Sequence, residues 1–159
     1  MNINQLDKTD RRILDTLQHN CRISNVDLAA QINLSPSPCL ERIRRLERSG
    51  FIEEYVAHLN PGRLQAELVV YIEVSLKRTA TADLDAFNAE MLALEEVVEC
   101  SMVAGGFDYL LKIRTADMQS YRRFLGDKLA AIDLVAQTHT YAVMESVKST
   151  HLLPIVVEE

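Results

Sequence analysis

The chain has 159 residues, 17 Lys+Arg against 23 Asp+Glu for a formal net charge of −6, and 48% hydrophobic residues. That length fits one or two small domains with ample apolar side chains for a core, and no run of ~18 apolar residues is present to span a bilayer. The start, M-N-I-N-Q-L-D-K-T-D-R-R, lacks an apolar signal segment, and Cys21, Cys39 and Cys100 are scattered and odd in number, so the expectation is a cytosolic protein with reduced, mostly buried thiols.

A first helix is predicted from about Asp7, its cap, to Asn20, with Ile13, Leu14 and Leu17 on its inner side. Ser24 is a good N-cap for a second helix, with Asp27 three residues on as a weaker capping box and Val26, Leu28, Ala29 and Ile32 as its apolar side. Asn33-Leu34 interrupts that pattern. Ser35 caps a third helix, and Pro36 occupies its first position, where a missing N–H costs nothing. Pro38 is still within the first turn. Leu40, Ile43 and Leu46 form a core stripe, while Ser37, Pro38, Glu41, Arg45 and Arg48 project on roughly the opposite side with Arg42 and Arg44 on the flanks. Gly50 suits the left-handed position that ends a helix. A short helix followed by an arginine-bearing helix is the layout of a helix-turn-helix DNA reader. The arginines alone describe a solvated surface equally well; the paired caps and tight spacing favour DNA.

The net charge is unevenly spread. Residues 1–60 carry eight basic and eight acidic side chains, and residues 61–159 carry nine and fifteen, so the acidic excess lies wholly in the second part. A merely local basic patch binds DNA modestly as a single copy and gains from several copies acting together.

Phe51 to Leu59 reads as a short extended segment trailing the third helix, and Asn60-Pro61-Gly62 is a turn signal. The expected domains are therefore 1–60, a hinge over 61–66, and 67–159. In the latter, Leu68, Val70, Ile72, Val74 and Leu76 recur with period two and predict a strand. Leu84, Phe87, Met91 and Leu94 predict a helix opening at Thr79–Asp83. Val98, Cys100, Met102 and Ala104 predict a second strand, Gly105-Gly106 a hairpin turn, and Phe107, Tyr109, Leu111 and Ile113 a third strand. Asp117 caps another helix with Met118, Tyr121, Leu125 and Leu129 inward, and 134–146 is the fourth strand. The order βαββαβ implies a ferredoxin-like α+β sandwich with helices on one sheet face. The other face is expected to carry Val69, Tyr71, Val97, Val103, Leu110 and Tyr141 or Met144, apolar enough to call for a partner sheet in a two-fold dimer. The tail Leu152 to Val157 is expected to add a short strand or pack on a neighbour.

The segments L-D-K-T-D-R-R-I-L at 6–14, L-S-P-S-P-C-L-E-R-I-R-R-L-E at 34–47 with the following G-F-I, G-G-F-D-Y-L-L-K at 105–112 and T-Y-A-V-M-E-S-V-K at 140–148 resemble the Lrp/AsnC, or feast/famine, transcription regulators, most closely their leucine-responsive branch. The resemblance spans nearly the whole chain. It implies an N-terminal trihelical, winged helix-turn-helix domain and a C-terminal ACT-like (RAM) sandwich that senses amino acids. It also implies dimers assembled into octamers or similar discs, double-stranded DNA as partner, control of amino-acid metabolism genes, no cofactor, no membrane contact, and a cytoplasmic, nucleoid-associated location.

On the DNA side, Ser24, Asn25, Ser35, Ser37, Pro38, Glu41, Arg42 and Arg45 are the expected contacts. Ser37 and the helix start address phosphate, Arg42 or Arg45 pairs with guanine O6/N7, and Glu41 either accepts from cytosine N4 or pairs with Arg45. Arg44 and Arg48 are phosphate contacts or solvated. For the effector, leucine or a similar aliphatic amino acid, the resemblance places the pocket at Gly105, Gly106, Phe107 and Asp108 near the hairpin, with Met102, Met118, Thr138, Thr140, Tyr141 and Val143. Asp108 meets the ammonium or holds the pocket wall. Ala104 and Ala142-Val143 depart from residues common in the family and bear on pocket size.

Enzymatic chemistry is not expected. His19, His58, His139 and His151 are scattered, no metal-ligand spacing occurs, and no nucleotide-binding or nucleophile-elbow signature is present. Two other functions fit the same features: an architectural protein that compacts DNA with little effector control, and an amino-acid-binding regulatory subunit of an enzyme.

Overall fold

Helix ends define the first half of the fold. The computed structural model describes residues 6–155. Asp7 caps α1 (Lys8–His19), its Oδ1 accepting the Asp10 N–H at 2.8 Å. Ser24 caps α2 (Asn25–Gln31): its Oγ accepts the Asp27 N–H at 3.1 Å and donates to the Asp27 carboxylate at 2.6 Å, a reciprocal box that closes the first turn. The turn into α3 (Pro36–Arg48) runs through Asn33 at φ 58°, the left-handed conformation that Asn tolerates better than most residues. The Asn33 and Leu34 N–H groups bond back to the Ala30 and Ala29 carbonyls. The end of α3 repeats the device, with Gly50 at φ 72° and the Gly50 and Phe51 N–H groups on the carbonyls of Glu47 and Leu46.

Ile13, Leu17, Leu28, Ala29, Ile32, Cys39 and Leu46 are buried together between the three helices. Two expected core positions differ. Leu40 is 37% exposed, because Cys39 rather than Leu40 fills the core at the start of α3, and Val26 on α2 is 62% exposed. Cys39 is the buried thiol, while Cys21 and Cys100 are exposed, contrary to the expectation that most are buried. Residues 51–60 contain no strand and so no wing among the described residues, since an extended segment needs a neighbouring strand to form a ladder. Tyr55 instead donates to Glu47 at 3.1 Å.

The chain divides into two compact units, 6–58 with 148–155, and 59–147. The described part of the tail groups with the first unit. The Gln18 amide donates to the Leu153 carbonyl at 3.1 Å and accepts the Leu153 N–H at 3.0 Å, satisfying both backbone groups without adding a strand. Val156, Val157 and the Glu158-Glu159 pair lie outside the described residues.

In the second unit, β1 (Leu68–Leu76), α4 (Thr81–Ala93), β2 (Val97–Met102), β3 (Tyr109–Thr115), α5 (Met118–Arg123) and β4 (Val135–Ala142) follow in the expected order. The sheet is antiparallel throughout, with spatial order β2-β3-β1-β4. Alternate residues Val70, Ile72, Val74 and Leu76 of β1 and Tyr109, Leu111 and Ile113 of β3 pack against Phe87 and Met91 of α4 and Tyr121, Phe124 and Leu129 from the α5 region. The Phe87 and Tyr109 rings lie 4.6 Å apart between centroids.

Several boundaries differ from expectation. The fourth strand ends at Ala142 rather than at 146, and Phe107 belongs to the β2–β3 connection, not to a strand. After Arg123 the helix widens into a π-type turn over Phe124–Leu129, with Phe124 buried, and Met118, expected inward, is 55% exposed at the start of α5. The face away from the helices is also more polar than expected. Strand register places Glu73, Ser75, Glu99, Lys112 and His139 there beside Val69, Tyr71, Leu110 and Tyr141, and Val97 pairs with Ile113 on the core side.

Replacing Phe87, fully buried against Tyr109, by Ala is expected to cost the second unit about 3–5 kcal/mol. Urea unfolding of the parent and Phe87→Ala chains measures this directly.

Candidate nucleic-acid interface and ligand site

One buried carboxylate organises the arginine-bearing helix. Asp10, on α1, is 1% exposed. It accepts from Arg42 Nη1 at 2.8 Å and from Arg45 Nη2 at 2.6 Å on both oxygens. Arg42 also bonds Asp7 at 2.6 Å. Burial alone would raise the Asp7 carboxyl, but the Asp10 N–H and the Arg42 guanidinium prevail and hold it below the ordinary aspartate value. The same carboxylates push the Arg42 guanidinium up. A carboxylate buried this deeply is tolerated only when its lone pairs are taken by charged donors, and here α3 supplies both arginines.

Two of the expected DNA contacts, Arg42 and Arg45, are thus the donors to that carboxylate. Arg42 and Arg45 lie one helical turn apart, so both face α1, and their guanidinium groups are engaged within the chain rather than presented outward. Glu41 does not pair with Arg45, because Asp10 already holds that group. It accepts instead from Arg48 at 3.2 Å, with both side chains largely exposed. Asn25 is also turned inward: its Nδ2 donates to the Pro36 carbonyl at 2.8 Å, tying α2 to the start of α3, and its Oδ1 is buried. Ser24 spends its hydroxyl on the α2 cap.

Ser35 and Ser37 remain open, along with the exposed Pro38 ring. Ser35 is the N-cap residue of α3 but makes no side-chain cap bond. Pro36 and Pro38 carry no N–H, and the Cys39 N–H is bonded to the Ser35 carbonyl, so Ser37 supplies the one unbonded backbone donor of the first turn. The helix start therefore offers an anion two hydroxyls and a single N–H.

The expected effector residues are spread around the second unit. Met102 ends β2, and register carries it through Tyr109 and Val74 to Thr138 on β4. Three strand spacings separate Met102 from Thr138, about 14 Å. Met118 follows Thr115, at the opposite end of β3. Thr140 hydrogen-bonds the Tyr121 hydroxyl at 2.5 Å, Tyr141 is 53% exposed on the other sheet face, and Val143 continues the β4 ladder with its N–H on the Val69 carbonyl. The Glu73 carboxylate facing Tyr141 pushes that phenol up.

Asp108 is more confined. Its Oδ2 accepts the Leu76 N–H at 2.7 Å, its own N–H bonds the Val74 carbonyl, and its carbonyl accepts the Val103 N–H. It stitches the β2–β3 connection to the end of β1. Gly105 and Gly106 top that loop, and a Cβ on either would meet nothing within 4 Å. Neither has a positive φ, so nothing inside the chain requires glycine there and the space above the loop is open.

A cavity of about 450 Å³ exists elsewhere in the second unit, lined by Glu96, Arg114, Ser120, Arg123, Asp127 and Lys128 among others, and includes none of the expected effector residues. Among the described residues, no group of three or more His, Cys, Asp or Glu is placed to hold a metal, and no helix is long and apolar enough to cross a membrane. Sequence reasoning missed Asp10 as the partner of both arginines. Its signal was an acid three residues after the cap of α1, which reads equally well as a helix-start preference.

Removing the shared carboxylate in Asp10→Ala is expected to lower first-unit stability by about 3 kcal/mol, at the low end for a broken buried pair because both arginines reach solvent. Thermal and urea melts of the purified variant measure it.

Comparison with known proteins places these features in context. Residues 6–53 match the winged helix-turn-helix DNA-binding family, and residues 69–153 match the Lrp/AsnC ligand binding domain. The chain is 52% identical over 150 residues to the leucine-responsive regulatory protein of Salmonella typhimurium, covering 94% of this chain and 92% of that one. It is 51% identical, with the same coverage, to the leucine-responsive regulatory protein of Escherichia coli K12. A Neisseria meningitidis transcriptional regulator solved as an L-Met complex superposes with a TM-score of 0.90 at 37% identity, covering 94% of this chain and 97% of that one. Escherichia coli AsnC gives a TM-score of 0.86 at 25% identity, covering 94% and 99%.

Proposed function

The chain belongs to the Lrp/AsnC family of transcriptional regulators rather than to an enzyme family, and on that premise we propose that it is a sequence-specific DNA-binding regulator whose DNA affinity or assembly state responds to a small aliphatic amino acid. The observation that carries this reading is the joining, in one chain, of a helix-turn-helix unit to a unit matched by the family's ligand-binding domain. Leucine is the first candidate effector, from the names of the relatives. Methionine is the second, from the ligand of the Neisseria regulator. Genes of amino-acid metabolism are the proposed targets, and the cytoplasm, on the nucleoid, is the proposed location.

Two features support a site completed by another copy. The expected effector residues are spread around the unit, exposed or half-buried, and Met102 and Thr138 stand three strands apart, too far to enclose a small molecule between them within one chain. The Gly105-Gly106 loop is open above and stiffened below by Asp108, a form suited to receiving a ligand carboxylate on backbone N–H groups. Dimers assembled into octamers would bring such residues together. They would also repeat the first unit, whose basic and acidic side chains nearly balance and whose single copy has little electrostatic hold on DNA. Ligand at an inter-dimer contact would favour one assembly state and change the spacing of α3 helices, coupling the two units.

Fluorescence anisotropy on labelled duplex from upstream of the chain's own gene tests this, at two salt concentrations and with a panel of amino acids. Salt-weakened binding that leucine or methionine shifts several-fold is the expected result. Binding indifferent to every amino acid would instead favour the architectural role. In the same assay Asp108→Ala is expected to lose the amino-acid shift while keeping DNA affinity within about twofold, because its bonds secure the loop and lie outside the first unit.

A further inference from the structure

The four arginines of α3 are not equivalent. Arg42 and Arg45 are held by Asp10, and Arg48 by Glu41. Arg44 is exposed and makes no hydrogen bond or ion pair to any described residue. At 100° per residue, the exposed positions Pro36, Ser37, Pro38, Leu40, Glu41, Arg44, Glu47 and Arg48 span an arc roughly 200° wide, with Arg44 close to its midline. Arg42 and Arg45 lie on the flank toward α1.

We propose that Arg44 is the base-reading side chain of α3, pairing with guanine, and that Arg42 and Arg45 act through Asp10 as positioning residues. This rests on the DNA-binding reading above. When a helix enters the major groove, side chains on its midline meet base edges and those on its flanks meet the phosphate walls. A midline guanidinium with no internal partner keeps its forked donors for the O6/N7 pair of guanine and breaks no ion pair on docking. Arg42 or Arg45 would have to strip a buried carboxylate of its donors to do the same, leaving Asp10 as an unpaired buried charge. The Asp10 clamp also fixes the rotation of α3 about its axis relative to α1, and so decides which stripe faces out.

Binding-site selection from a randomised duplex pool, carried out with the full chain and with Arg44→Ala and Arg44→Lys, tests the assignment. The parent is expected to enrich a motif containing guanine. Arg44→Ala is expected to melt with the parent, to lose preference at that guanine alone, and to bind the selected duplex roughly ten- to hundredfold more weakly while binding scrambled duplex nearly as before. Arg44→Lys is expected not to restore the preference, since an ammonium lacks the fork. Retention of the full motif by Arg44→Ala overturns the proposal. So does an equal loss on selected and scrambled duplex with a salt slope lowered by about one, which would mark a phosphate contact. A parent chain that binds no duplex in a salt-dependent way defeats the DNA-binding reading itself, a result distinct from a parent that binds and a variant that is unchanged.

Discussion

The Asp10 carboxylate, buried between two arginines of α3, is the constraint on which the first unit's surface depends. An anion in that position is strongly unfavourable without charged donors, so the α1–α3 packing that buries it and the arginines that satisfy it stand or fall together. Hydrophobic packing through Ile13, Cys39 and Leu46 brings the two helices together, but apolar contacts are non-directional and tolerate rotation. Directional charged bonds to Asp10 do not. The rotation of α3, and therefore the row of side chains shown to solvent, is set by a polar interaction inside an apolar contact.

The same logic explains the modest electrostatics of the unit. Of the arginines that make the α3 sequence look basic, those at 42, 45 and 48 are matched by acids of the same unit, and the two prolines leave the helix start with one free N–H. What remains outward is small and specific: two serine hydroxyls, the Glu41–Arg48 pair, and Arg44. A surface like this contributes discrimination more readily than raw affinity, which makes repetition over several copies physically useful.

The second unit is organised around alternation. One sheet face is sealed by α4 and the α5 region, and the strand order leaves β2 and β4 as edges with Met102 and Tyr141 exposed on them. The connection between β2 and β3 is pinned by Asp108 to the end of β1, so its glycines sit on a stiff base with open space above. Rigid support under a bare backbone is how a loop offers N–H groups to a ligand without paying to order itself at each binding event.

Local rules made much of this legible in the chain itself. The caps at Asp7 and Ser24, the left-handed turn at Gly50, the period-two run from Leu68 to Leu76 and the βαββαβ order all depend on neighbours a few residues apart, and all appear where the sequence placed them. The family resemblance rested on contiguous motifs and was likewise readable. What only the tertiary structure decided involves groups far apart along the chain. Asp10 lies more than thirty residues from the arginines it holds, Gln18 is bonded to a tail 135 residues away, and Asp108 meets Leu76 across the sheet. An arginine in a helix has the same propensity and charge whether it points at solvent or at a buried acid. Its role is fixed by which carboxylate the fold brings within 3 Å, and that depends on helix packing.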